Sequence, residues 1–250
     1  MAATTGEQAA LDKSGRTIRD MFAGVAPRYD LLNRLISGFL DEGWRRRAAA
    51  AVDAAPPGPI LDLCAGTGDQ ARAIQRRGRR VAAADFTLAM LALARGKLRP
   101  LGEPRPAPLA ADALALPFPD GAFAGATVAF GLRNVADLDR ALHELARGLV
   151  PAGRLVVLEA AVPRHRLLRW GHRLWCQYGL LVLGKLFSPR ASAYRYLPES
   201  VVAFPQRERF LARLAAAGFT DLSYDDLSLG AVCLYSGTRG ERDGDEGVTQ

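Results

Sequence analysis

The sequence predicts an α/β fold built on a mostly parallel sheet, and three observations carry that prediction. Short apolar runs alternate with helical segments over about residues 59–218, the pattern of strands joined by crossover helices. The first run ends in glycines, "ILDLCAGTGDQA", Ile60 to Ala71. The last two β-like runs, "TDLSYDDLSL" and "AVCLYSGT", meet at Gly230 and read as an antiparallel hairpin on the sheet edge.

Each element follows from local pattern. Met21, Phe22 and Val25, then Leu31, Leu32, Leu35 and Ile36, recur at helical spacing with Pro27 as a break. "WRRRAAAAV" continues helically to the "PPGP" turn. "PILDLC" is a buried strand, "DQARAIQRRG" a helix closed by Gly78, "RRVAAADF" a second strand and "TLAMLALARGKL" a second helix. "PAPLAAD" is a weak third strand and "AGATVAF" a fourth, and "DLDRALHELARGL" is a helix that starts at an Asp cap. "PAGRLVVLEA" is a fifth strand. Residues 163–200 then break the rhythm with a helical insert, basic at its start and apolar on one side, before the helix "RERFLARLAAAGF".

Composition narrows the class. The 250 residues are 49% hydrophobic and 24% charged, enough for one well-buried domain with extra elements. No apolar stretch of about 18 residues occurs, and the start "MAATTGEQAALDKSGRT" lacks a signal-peptide core. A cytoplasmic location is therefore expected. Cys64, Cys176 and Cys233 have neither zinc spacing nor disulfide parity, and Cys64 reads as a small packing residue. The net charge of +7 fits an acidic partner or an anionic membrane surface, and equally an arginine-rich composition. The basic runs lack interleaved aromatics, so no nucleic-acid partner is expected.

The glycine loop admits three readings. Gly66, Gly68 and Ala71 fit the dinucleotide fingerprint, while Asp62 ahead of Gly66 and Gly68 fits the acid-led loop of S-adenosylmethionine (SAM) enzymes. A plain strand-to-helix turn needs the same glycines. Asp85, about 20 residues on, can bind ribose hydroxyls or cap the next helix. Asp112 follows the third strand at the same sheet edge, where it can read an adenine edge. An NAD oxidoreductase also needs a substrate acid or base. His143, His165 and His172 read as surface or packing residues instead.

The stretches "LDLCAGTGD", "AADFTLAML", "DALALPFPDGAF" and "FGLRNV", with "MFAGVAPRYDLLNRLISGFLDEGWRR" and "YRYLPESVVAFP" outside the sheet, resemble the ubiquinone/menaquinone biosynthesis C-methyltransferase family over about residues 18–238. The resemblance implies a class I methyltransferase fold, Rossmann-like, with a seven-stranded sheet and one antiparallel strand. It implies SAM as cofactor and methylation of a polyprenyl quinol ring, demethylmenaquinol or a ubiquinone-pathway benzoquinol. Thr67, Asp85, Asp112 and Ala113 match SAM-binding positions. Ala129 stands where some relatives carry a serine, Cys64 where broader motifs have glycine.

Mechanistic expectations follow for a quinol whose phenolic pKa is about 10. Arg133 can stabilise a phenolate or form an ion pair, and Asn134 can orient a ring hydroxyl. Tyr29 and Asp30 can close over the sulfonium. The cofactor set is then Asp62, Gly66, Thr67, Gly68, Asp85, Asp112, Ala113 and Ala129, with no metal. The expected organisation is a mobile start over 1–17, one domain over 18–238 with N-terminal helices over 18–52, and a mobile tail over 239–250. The insert reads as a substrate lid at an anionic membrane face, or as a core helix or homodimer interface.

Overall fold

The computed structural model describes residues 13–99, 106–179 and 191–241. Seven strands form one sheet: β1 Ile60–Leu63, β2 Val81–Asp85, β3 Ala107–Ala110, β4 Phe123–Ala129, β5 Leu149–Ala160, β6 Phe219–Leu227 and β7 Val232–Arg239. Their order is β3-β2-β1-β4-β5-β7-β6. Strands β1 to β5 pair in parallel, and β7 runs antiparallel to both β5 and β6. The terminal hairpin thus supplies the one antiparallel strand. It leaves β6 on the edge and turns at Gly230, whose φ of 87° suits a residue without Cβ.

The parallel strands are largely apolar because helices cover both faces. Alternate residues enter two cores. Leu61, Leu63, Leu155 and Val157 pack with Ala141, Leu142 and Leu145 of α6 (Leu138–Gly148) and with Phe210 and Leu214 of the last helix, Glu208–Ala216. Ile60, Val156 and Leu158 pack on the opposite face. Their partners are Ala48 and Ala49 of α3 (Asp41–Ala51), Ile74 of α4 (Asp69–Gln75), and Ala94 and Leu98 of α5 (Leu88–Leu98). The cap predicted for α6 is Asp137, which accepts the Arg140 N–H at 3.0 Å.

Two element boundaries differ from expectation, and the break at Pro27 is where it was expected. α1 runs Gly15–Val25 behind the cap Ser14, so its first turn starts before the expected helical start at residue 18. Pro27 sits in a 3₁₀ turn, Ala26–Arg28, that bends the chain into α2, Tyr29–Ile36. β7 extends to Arg239, one residue past the expected end. Of the insert, α7 (Arg166–Leu174) leads into a π-helical turn over Trp175–Gly179, and α8 (Ala191–Ala203) carries Pro198 within it. Residues 180–190, and the tail from 242, lie outside the described residues. The last helix, Glu208–Ala216, is α9.

Candidate active site

The order of strands reverses between β1 and β4, each helix-bearing connection leaving to opposite sides. In such sheets the crevice beyond the carboxyl ends of the strands is where ligands bind. Here the β1–α4 turn passes Cys64, Gly66 and Gly68 with φ of 56°, 55° and 86°. A Cβ at Gly68 would stand 2.9 Å from Leu98, and one at Gly131 only 2.4 Å from the Cys64 Cβ. The glycine of "FGLRN" is therefore required by the cysteine of "LDLC". Burial pushes the Cys64 thiol well above its ordinary range, which keeps it unreactive.

A cavity of about 180 Å³ opens over this turn. Five of the predicted cofactor residues line it: Gly66, Asp85, Asp112, Ala113 and Ala129. Tyr29 and Asn134 join them, and Ile18 and Phe22 of α1 form the roof. Asp85 accepts the Gly66 N–H at 2.8 Å and the Thr87 N–H at 2.7 Å. Burial raises its carboxyl above the ordinary range, against these hydrogen bonds. So Asp85 both braces the turn before α5 and faces the cavity. The Asp112 carboxylate accepts the Leu114 N–H at 2.9 Å. Lys13 also lines the cavity, and burial lowers its ammonium pKa.

Three of the predicted residues, Asp62, Thr67 and Gly68, stand outside the lining of this cavity. Asp62 is fully buried and pairs with its cross-strand neighbour Thr127, whose hydroxyl donates to it at 2.9 Å. Its second oxygen has no partner, and burial raises its pKa to about 7. It lies under the turn, on the α3–α4 side of the sheet. The Thr67 hydroxyl donates to Asp30 at 2.5 Å and accepts from Lys97 at 3.2 Å. Lys97 also pairs with Asp30 at 2.7 Å and with Asp69. Asp30, expected over a sulfonium, instead ties α2 to the glycine turn. Gly68 serves packing against Leu98.

A second, larger cavity of about 390 Å³ adjoins the first, and Tyr29 and Phe130 wall both. It is apolar along Ile36, Leu40, Trp44, Leu197 and Val201, and it holds Arg133 and His172. Arg133 and Asn134 thus part company, one facing each cavity. The Arg133 Nη1 donates to Glu159 and to the Phe130 carbonyl, each at 2.6 Å. Glu159 is fully buried and takes a further N–H from Ala160. Burial alone would lower the Arg133 pKa, but Glu159 outweighs it and the net direction is upward. Sequence reasoning passed over Glu159 because it ends an apolar strand; a carboxylate closing "RLVVL" was the available signal. His172, read as surface or packing, lines this cavity half-buried with its pKa lowered by burial.

The strand order, with a glycine turn after β1 and an acid ending β2, defines a class I methyltransferase fold. Solved structures agree on the fold. The [4+2]-cyclase SpnF superposes at a TM-score of 0.68 with 18% identity, over 90% of this chain and 96% of that one. A SAM-dependent methyltransferase of Thermotoga maritima, a possible histamine N-methyltransferase, gives 0.58 and 20% over 88% and 99%. The family follows from sequence. Residues 9–239 match the ubiE/COQ5 methyltransferase family, and the chain belongs to it. The demethylmenaquinone methyltransferase of Thermus thermophilus is 50% identical over 88% of this chain and all of that one. The ubiquinone/menaquinone biosynthesis C-methyltransferase UbiE of Geobacter sulfurreducens is 41% identical over 92% and 91%.

Two predictions test the buried charges. Asp62 has a folded pKa raised from 3.8 to about 7, so its carboxyl favours the folded state most below pH 4. That advantage is lost as pH rises through 7, up to about 4 kcal/mol. Asp62→Asn should flatten the loss in urea unfolding at pH 5 and pH 8; an equal difference from wild type at both values counts against a titrating Asp62. Glu159→Gln should cost about 3–5 kcal/mol, because it strands a buried guanidinium. A denaturation midpoint within error of wild type would show the pair to be dispensable.

Proposed function

We propose that the protein transfers a methyl group from SAM to a ring carbon of a polyprenyl quinol, with demethylmenaquinol the primary substrate and a ubiquinone-pathway benzoquinol the second. The observation that carries this reading is the pair of adjoining cavities sharing Tyr29 and Phe130. One has carboxylates on its wall, and the other is apolar enough for an isoprenoid chain. The names of the relatives support a quinone-type substrate.

The residues present fit SAM. Asn134 Oδ1 is a buried acceptor without a partner, facing a cavity where an ammonium or sulfonium would satisfy it. Asp85 offers a carboxylate for ribose hydroxyls, and Asp112 with Ala113 frames the adenine end. When bound, SAM supplies an electrophilic methyl group. The chain's task is to align the quinol and raise the electron density of its ring. A phenol of pKa about 10 stays mostly protonated at pH 7, so a fixed cation beside the hydroxyl favours the phenolate. Arg133 supplies that cation and cannot act as base, since it stays protonated. Glu159 fixes its orientation. Tyr29 and Phe130 separate the cavities and exclude water from the junction.

The same reading extends to the membrane. Among the described residues no helix is long and apolar enough to cross a bilayer. On α7 and the π turn, Leu167, Trp170 and Trp175 are exposed beside Arg166, Arg169 and Arg173. Trp175, Arg169 and Arg173 also border the apolar cavity. Aromatic and basic residues together suit an anionic lipid surface, and their position lets a lipid quinol enter from it.

The test is methyl incorporation from labelled SAM into demethylmenaquinol, demethylated benzoquinols and their oxidised quinones, each presented in anionic vesicles. Label should enter a reduced quinol and none of the quinones. No label in any quinol would overturn the reading. Arg133→Ala should lower kcat by roughly 10²–10³ fold, by analogy with losing one oxyanion donor, and leave SAM affinity unchanged. Raising pH towards the quinol pKa should restore part of the rate. Normal kcat with raised KM would make Arg133 a positioning residue.

A further inference from the structure

We propose that a third cavity, between α3 and α4 and sharing only Asp41 and Arg45 with the quinol cavity, binds a phosphate-class anion. It measures about 240 Å³ and six arginines line it: Arg34, Arg45, Arg46, Arg72, Arg76 and Arg77. They come from three helices, α2, α3 and α4, with Arg76 and Arg77 in the turn that follows α4.

The charges do not balance within the cavity. Three carboxylates, Asp41, Glu42 and Asp69, share it. Asp69 is already held by Lys97, and Arg77 by Asp53, both partners lying outside the cavity lining. Asp41 is 4.0 Å from Arg45, too far for a hydrogen bond, and accepts from the Ser37 hydroxyl instead. Glu42 is divided between Arg46 at 3.6 Å and Arg76 at 3.7 Å, both loose and exposed. Among the described residues, no hydrogen bond or ion pair reaches the guanidinium of Arg34 or Arg72. The Nε of Arg72 and the Nε of Arg45 are buried without an acceptor.

A solvated arginine face would look different. Its guanidiniums would stand in water, each self-sufficient. Here Arg45 is only 8% exposed and Arg72 is half-buried, and together they floor a concavity rimmed by exposed guanidiniums. Buried donors without acceptors are costly, and a bound oxyanion supplies the missing negative charge. Guanidinium forks converging from three helices suit a tetrahedral anion, which accepts hydrogen bonds from many directions. A planar carboxylate would satisfy one fork. The ligand chemistry is therefore phosphate, carried either by a small free ion such as diphosphate or by a phospholipid head group.

The site has a route to the quinol cavity. Arg45 and Asp41 line both, and the Arg45 guanidinium lies 5.5 Å from the centroid of the Phe130 ring. An anion that fixes Arg45 also fixes one wall of the apolar cavity.

The experiment is calorimetric titration of the full chain with inorganic phosphate and with diphosphate, alongside sedimentation with vesicles containing an acidic phospholipid. Wild type should bind at least one of the three probes, and more weakly at high salt. Arg34→Ala/Arg72→Ala should weaken that binding by about tenfold or more, with SAM affinity unchanged as the measure of folding. Arg72→Lys, which keeps the charge, should recover part of it if the double variant unfolds. Glu42→Ala, which removes the internal competitor, should tighten it. Loss confined to the free ions identifies a soluble ligand; loss confined to vesicles identifies a head group. Binding that is absent from wild type, or unchanged in the arginine variants, overturns the site.

Discussion

The turn from β1 into α4 must pass three left-handed residues within five positions, and the surroundings of the cavity are arranged to permit it. Gly66 and Gly68 take such angles at little cost, but Cys64 does not. Its side chain projects where only a glycine at 131 leaves room, so the end of β4 is shaped by the end of β1. The freed Gly66 amide is captured by Asp85 from β2. The Thr67 hydroxyl is captured by Asp30 from α2. One tight turn therefore positions the ends of three strands and anchors the helices that roof the cavity.

That anchoring explains how α1 and α2, which add no strand, become part of the site. Lys97 binds Asp30 and Asp69 together, so the roof is fastened to α4 and α5 through charge. Phe22 and Tyr29 meet edge to face with centroids 6.0 Å apart, and Tyr29 then reaches the wall shared by both cavities. The fastening is ionic and largely shielded from water, so the roof is held to the glycine turn by charge as well as by packing.

Much of the fold was legible in the sequence because strand and helix periods differ and both faces of the sheet are covered. The runs around Ile60, Val81, Val128 and Val156 became central strands, and Asp137 became the α6 cap. The hairpin was legible from Gly230. The site was legible as a set of residue types but not as directions. The loop pattern places an acid at 62 and a threonine at 67, but the pleat sends Asp62 under the turn to meet Thr127. Tertiary contact with Asp30 takes up the Thr67 hydroxyl. Glu159 and Phe130 escaped for the opposite reason: each sits in an apolar run, where period and hydropathy give no cue to a functional wall. The start of α1 escaped because Ser14 and Gly15 carry little apolar pattern; the Ser14 cap begins the turn, and Gly15 lies against Phe86, 3.1 Å from where a Cβ would stand.

The buried polar groups then form a pattern of their own. Asp62, Thr127, Asp85, Arg133, Asn134 and Glu159 are all at most 9% exposed, and all lie on β1, β2, β4 or β5 or in the turn just beyond β4. Other buried polar residues, Arg45, Gln70, Ser200 and Arg207 among them, lie away from these strands. Local rules are broken where a fold carries its chemistry, and here they are broken at the carboxyl ends of adjacent strands. The costs differ in kind. Burial shifts Asp62 towards its protonated form, whereas Arg133 cannot lose its proton and keeps Glu159. Asp85 and Asp112 place carboxylates on the first cavity, while Arg133 and Glu159 form a hydrogen-bonded pair beside the apolar one. That dipole is fixed before any ligand arrives, and its positive end faces the apolar cavity, where charge on a bound ring would develop.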